Sequence, residues 1–285
     1  MMERIRMRVM KEKKNLSAAG LRQRKQKIQN GIRRCIQLGF FIFLPSLFSE
    51  AFSGIKGIFH TISQGNVLVW NEFLRTFVIL AILTIFIGRY FCGYACAFGS
   101  LGDFIYGIAS FLQKKTKKKF PKIPEKAIVW LWKLKYVNLL VILGAVVLGY
   151  SQQVNENSPW ESFSRLRAGN MQWSTYSIVG LVYLGLIFVG MFFEERFFCQ
   201  FLCPLGAVFS LLPILPTGTL KRKASRCIAG CSACKRRCPV HHRPEGISVN
   251  SNECIQCGRC SFVCPKGNIS LKKEKVDLDL DEKSA

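Results

Sequence analysis

No Cys-x-x-Cys-His occurs in the 285 residues, which excludes covalently attached c-type haem. No nucleic-acid-binding motif, DNA-binding domain or signalling domain accompanies the basic balance, so the charge implies no nucleic-acid partner. Acidic residues are few: 17 Asp and Glu stand against 41 Lys and Arg, a formal net charge of +24. What is abundant is apolar sequence, 49% of the chain, gathered in blocks between residues 36 and 216 with polar, basic ends. That layout predicts a membrane protein with soluble ends rather than one large globule.

Eight of the thirteen cysteines fall in the last sixty residues, in two runs that each close on Cys-Pro. The second run, Cys254-x2-Cys257-x2-Cys260-x3-Cys264-Pro265, is the bacterial ferredoxin pattern for [4Fe–4S] ligation. The first, Cys227-x3-Cys231-x2-Cys234-x3-Cys238-Pro239, has one extra residue, which makes Cys227 its most unusual ligand. Three closely spaced thiolates wrap one face of a cuboidal cluster, and in two-cluster ferredoxins the fourth cysteine of each run serves the other cluster. By that rule one cluster takes Cys227, Cys231, Cys234 and Cys264, and the other takes Cys254, Cys257, Cys260 and Cys238. Paired zinc knuckles or a disulfide framework are the alternatives, though two four-cysteine runs closed by Cys-Pro are not a usual zinc layout.

The apolar blocks predict four spans, at about Cys35–Phe52, Trp70–Tyr90, Tyr136–Asn155 and Ser174–Phe193. Trp70, Trp130, Trp132 and Trp173 lie near their ends, as an aromatic belt would. Residues 1–34 carry twelve Lys and Arg, and lysines crowd positions 114–126 and 221–223. The positive-inside rule then predicts an inner-membrane, multi-pass protein with both termini and all eight ferredoxin-type cysteines in the cytoplasm, whose reducing conditions favour thiolates. The basic N-terminal segment reads as a topology determinant and anionic-lipid patch, or as a partner-docking helix.

A shorter motif is duplicated. Arg89-Tyr-Phe-Cys92-x3-Cys96-Ala-Phe-Gly99 recurs 107 residues later as Arg196-Phe-Phe-Cys199-x3-Cys203-Pro-Leu-Gly206. Cysteines at i and i+4 share a helix face, and two such faces meeting on a pseudo-two-fold axis would gather four thiols. Cys92, Cys96, Cys199 and Cys203 are therefore a candidate further cluster, metal site or redox-active dithiol pair, with Arg89 and Arg196 favouring thiolate. Close apolar packing is the plain alternative. Cys35 has no counterpart and reads as packing.

The duplicated C-x3-C motifs, followed in order by the tandem Cys-Pro runs, resemble the NapH/MauN family of ferredoxin-type membrane proteins over about residues 30–270. The module is similar to the membrane-plus-ferredoxin part of NosR-type and CcoG-type proteins. The resemblance implies electron flow between the quinone pool and other membrane or periplasmic redox subunits, with the chain acting as a quinol dehydrogenase component. Ala97, where the second copy has Pro204, departs from the pattern. The alternative is a metal-reducing or maturation factor for a respiratory metalloenzyme, since copper(I) prefers soft thiolates. The expected architecture is a basic segment (1–34), a four-helix membrane domain in two repeats (35–216), a small α+β two-cluster ferredoxin-like domain (217–270) and a charged tail (271–285).

Overall fold

Proline sets the first break in the chain. Pro45 has no N–H to donate and disfavours helical geometry in the residue before it. Helix α1 (Met2–Phe43) accordingly stops, and α2 (Leu47–Ser63) departs at 64° to it. The structure, a computed structural model, describes residues 2–117, 123–167, 177–213, 220–222, 227–242 and 253–270. Lys118, Lys119, Lys122, Trp173, Ser174, Lys223 and the tail 271–285 lie outside the described residues.

Helix α3 (Glu72–Ile87) starts where the Asn71 side chain accepts the Leu74 N–H at 2.8 Å, and it ends at Gly88, whose φ of 77° a side chain resists. A π-turn (Phe91–Ala95) then carries Cys92 into α4 (Ala97–Thr116). Helix α5 (Glu125–Val147) stops before Gly149 at φ 91°, and α6 (Ser151–Glu156) and α7 (Pro159–Arg167) turn the chain back. Helix α8 (Ile178–Phe193) leads through Arg196, itself at φ 59°, into α9 (Phe197–Phe201) and α10 (Pro204–Leu211). The ferredoxin-type segment follows with β1 (Lys221–Arg222), α11 (Ala233–Arg237), α12 (Arg259–Val263) and β2 (Ile269–Ser270).

The expectation of four spans in two repeats is corrected. Among the described residues one helix, Lys126–Val147, is long and apolar enough to cross a membrane, or two if the bent pair Gln23–Phe43 and Leu47–Ser63 counts as one span. Crossing takes about 20 residues. Helices α3 and α8 have 16 each, and the block at 35–52 is interrupted by Pro45. The block expected at Tyr136–Asn155 begins earlier and ends sooner, because Gly149 separates α5 from α6.

The α+β ferredoxin domain is corrected as well. Among the described residues the segment forms one antiparallel pair two residues long, Lys221 opposite Ser270 and Arg222 opposite Ile269, with two five-residue helices. Most of its described residues are cysteine loop, which leaves little backbone for a ladder. A small core of Leu220 and Ile269 packs under Cys234, Cys254, Cys260 and Cys264.

The helical body closes on aromatic rings. Phe98 and Phe198, one from each motif copy, meet at 4.9 Å between centroids. Phe48 meets Phe98 at 5.2 Å, and Phe52 meets Trp160 at 5.1 Å. All five are buried in the cluster that also contains Cys92, Cys96, Cys199 and Cys203.

Candidate metal centres

The duplication extends to single hydrogen bonds. Cys96 N–H donates to Phe91 O at 2.9 Å, and Cys203 N–H donates to Phe198 O at 2.9 Å. Each second cysteine then opens a helix and takes an N–H from the glycine three residues on: Gly206 N lies 3.1 Å from Cys203 Sγ, and Gly99 N–H serves Cys96 likewise. Ala97 and Pro204 both sit at the first helical position, so the departure from the motif leaves the start of α4 in place.

The four thiols converge and are buried. Burial first, then the neighbouring thiols Cys199 and Cys92, pushes the Cys96 pKa far up. Burial raises Cys199 to about 11 against the pull of Arg196, and Cys203 is raised well above its ordinary value. The arginines thus fail to make these three groups thiolates; burial wins. Such thiols deprotonate when a cation takes their charge, so metal binding would release protons here. Among the described residues no three Cys, His, Asp or Glu side chains close around a single metal ion.

The arginines cross over. Arg196 donates to the Cys92 carbonyl, and a side chain at Gly99 would begin 2.8 Å from its Nη1. Arg89 Nη2 lies 4.0 Å from Cys92 Sγ, and a side chain at Gly206 would begin 3.0 Å from it. Each guanidinium therefore fills the space beside the other copy's glycine. Arg196 is held by Asp103 through Nε at 3.0 Å and Nη2 at 2.7 Å. Asp103 also binds Arg33 of α1, takes a Gln37 N–H at 2.7 Å, and faces Arg259 of α12 at 3.7 Å. Burial would raise the Asp103 pKa, but Arg196, Arg33 and Arg259 outweigh it and hold the carboxyl below its usual range.

The ferredoxin-type segment lies directly on this chamber. A side chain at Gly93 would meet the Ile255 carbonyl, and one at Gly88 would come within 3.0 Å of the Gln256 amide. Gln200, which corresponds to Gly93, donates to Pro239 O at 2.7 Å. Glu194 meets His241 at 2.7 Å, and Glu195 pairs with Arg259. One pocket is lined by Cys238, Cys254, Cys257 and Cys260 with Cys234, Leu220 and Ile255. A second is lined by Cys227, Cys231, Cys234 and Cys264. Asn268 donates to Cys264 Sγ through its backbone at 3.3 Å and faces Cys227 Sγ with its amide at 3.6 Å. Burial raises Cys238 to about 12, Cys254 to about 11 and Cys260 further, again the setting of thiols that need a cation. Cys227 and Cys231 are exposed. Cys35, read as packing, is exposed on α1.

Motif reading passed over Asp103, Lys135, Tyr136, Gln200 and Glu253, all of which meet this site. Extending the repeat four residues past Gly99 sets Asp103 against Ser210, so the duplication carries no signal for this acid.

A family model described as a 4Fe-4S binding domain matches residues 73–119 and again 176–221, and a second of the same description matches 247–270. The uncharacterized protein MJ0749 of Methanocaldococcus jannaschii is 31% identical over 207 residues, 72% of this chain and 74% of that one. The ferredoxin-type protein NapH of Escherichia coli is 26% identical over 66% of this chain and 63% of its own. The methylamine utilization ferredoxin-type protein MauN of Methylobacillus flagellatus is 23% identical over 71% and 61%. No solved structure matches the chain.

Proposed function

The chain belongs to the NapH/MauN family of ferredoxin-type 4Fe–4S electron-transport proteins, and from that premise we propose that it passes electrons between the quinol pool and a partner redox system at the inner membrane. In this reading Cys227, Cys231, Cys234 and Cys264 hold one [4Fe–4S] cluster, and Cys254, Cys257, Cys260 and Cys238 hold the other. The two pockets and the Asn268 contacts to Cys227 and Cys264 support that division. Bound there, such clusters supply one-electron transfer.

The observation that carries the proposal is an order of burial. The Ile255–Cys257 stretch of the second run packs into the same core as Cys92, Cys96, Cys199 and Cys203, whereas Cys227 and Cys231 of the first run face outward. Electrons would pass between the helical body and the second run, then the first run, then a partner. Arg236, Arg237 and Lys266, exposed beside the first run, suit an acidic partner. Membrane association is supported by Lys126–Val147 and by the outward apolar side chains of α3, α5 and α8, among them Phe86, Leu140 and Leu186. The basic N-terminal segment would rest on anionic headgroups in the cytoplasm. Glu194 and Glu195 are engaged by His241 and Arg259.

The test is anaerobic purification, iron and acid-labile sulfide counts, and electron paramagnetic resonance before and after quinol addition. About eight irons per chain and quinol-reducible signals are expected. The Cys96→Ser/Cys203→Ser variant should keep about eight irons and lose reduction by quinol. Intact reduction with lost metal delivery to a client enzyme would instead establish a maturation factor, and absence of iron from the wild-type chain would overturn electron transfer.

A further inference from the structure

The two motif copies are not electrostatically equivalent. The 107-residue offset that superimposes Cys92 on Cys199 places Ser210 where the first copy has Asp103. Asp103 grips the arginine of the opposite copy, Arg196, with both oxygens. Ser210 carries no charge. Its hydroxyl lies 2.7 Å from the Ala207 carbonyl and 2.8 Å from the Tyr136 hydroxyl. Arg89, the arginine that an acid at 210 would serve by the same crossover, is buried and meets Glu253 Oε2 at 3.3 Å instead. Glu253 also binds the buried Lys135 and accepts the Tyr136 hydroxyl at 3.0 Å, so Tyr136 bridges Ser210 to Glu253. A buried cation deprived of its anion destabilises strongly, and here the anion comes from outside the repeat, one residue before Cys254.

We infer that Glu253 supplies the acid that the second motif copy lacks, and that it is the positioning residue seating the Cys254 loop on the four-cysteine chamber. The Arg89 guanidinium then touches three things at once: the residue before Cys254, the Cys92 thiol and the start of α10 at Gly206. Any shift of Glu253 is felt on both sides of the junction. Two residues further on, Ile255 and Gln256 lie against Gly93 and Gly88, so the Glu253–Arg89 pair belongs to the same contact.

This inference rests on the proposed ligation of a cluster by Cys254, and its test separates the two. Full-length protein is purified anaerobically as wild type, Glu253→Gln and Ser210→Asp/Glu253→Gln. Iron and sulfide are counted, and both clusters are titrated with dithionite and mediators while the paramagnetic signals are followed, so no quinol is needed. Glutamine keeps the size and an acceptor for Tyr136 but removes the charge. The expected result is an altered signal and a raised potential for one cluster in Glu253→Gln, because Arg89 and Lys135 lose their anion, with the other cluster unchanged. Adding Ser210→Asp should return the potential towards wild type, because Arg89 regains an anion, while the altered signal stays, because the Cys254 loop still lacks its charged tie. If Glu253→Gln loses iron instead, the double variant should stay low in iron. A wild-type signal and potential in Glu253→Gln overturns the inference, as does recovery of the signal or the iron by Ser210→Asp, and both leave the electron-transfer proposal standing. A wild-type chain without iron overturns that proposal itself.

Discussion

At the scale of the residue, Asp103 carries the heaviest charge. One carboxylate neutralises parts of Arg196, Arg33 and Arg259, drawn from three distant stretches of chain. Removing one member of a buried pair costs about 3–5 kcal/mol, and Asp103→Asn is expected to lower stability by that order in detergent unfolding at neutral pH. Its folded pKa is depressed. The stability it contributes is therefore present above the ordinary carboxylate value of about 4 and lost as pH falls through the folded value. Thermal unfolding followed from pH 7 downward should show an acid limb that is shallower in Asp103→Asn; equal limbs would remove Asp103 from the account. The cysteines announced themselves in the sequence because spacing is local. Asp103 did not, because nothing near it in sequence says that three arginines will arrive.

At the scale of the element, glycine decides how closely the parts approach. The π-turn Phe91–Ala95 presents Gly93 to the Ile255 carbonyl, with no room for a methyl group. The obstacle is backbone, which cannot swing aside as a side chain would. Gly93→Ala should push the Cys254 loop off the turn, leaving Cys92 and Cys96 intact. A lowered iron count or a broadened signal from one cluster would show it, and a wild-type spectrum would refute it. Element boundaries were only partly legible. Apolar runs marked α3, α5 and α8, but hydropathy does not register Asn71, Pro45, Gly88 or Gly149, the residues that start and stop helices here. That is why four expected spans reduce to one, or two with the bent pair. The α+β expectation failed for a related reason: loops that follow ligand spacing need no ladder to hold their shape.

At the scale of the whole molecule, the arrangement has an inside and an outside. The second cysteine run is packed against the helical body, Cys227 and Cys231 of the first stand clear of it, and basic side chains flank them. Attraction of an acidic partner by such a surface is screened by salt. Electron transfer to such a partner should slow with ionic strength, and Arg236→Glu/Arg237→Glu should slow it about tenfold or more at low salt. Stopped-flow oxidation of the reduced protein measures this, and rates indifferent to both changes would place the exit elsewhere. The order of motifs along the chain was readable from sequence. Their layering was not, because it depends on Gln200, Glu253 and Arg259 reaching across gaps of 39, 164 and 64 residues.

The hub at Asp103 also bears on how the protein is made. Its partners Arg33, Arg196 and Arg259 leave the ribosome one after another, Arg33 first and Arg259 last. Helix α1 cannot settle against α12 until Arg259 has been translated. The hub around Asp103 therefore closes only after the α12 segment has been made, which sets the docking of that segment late in folding.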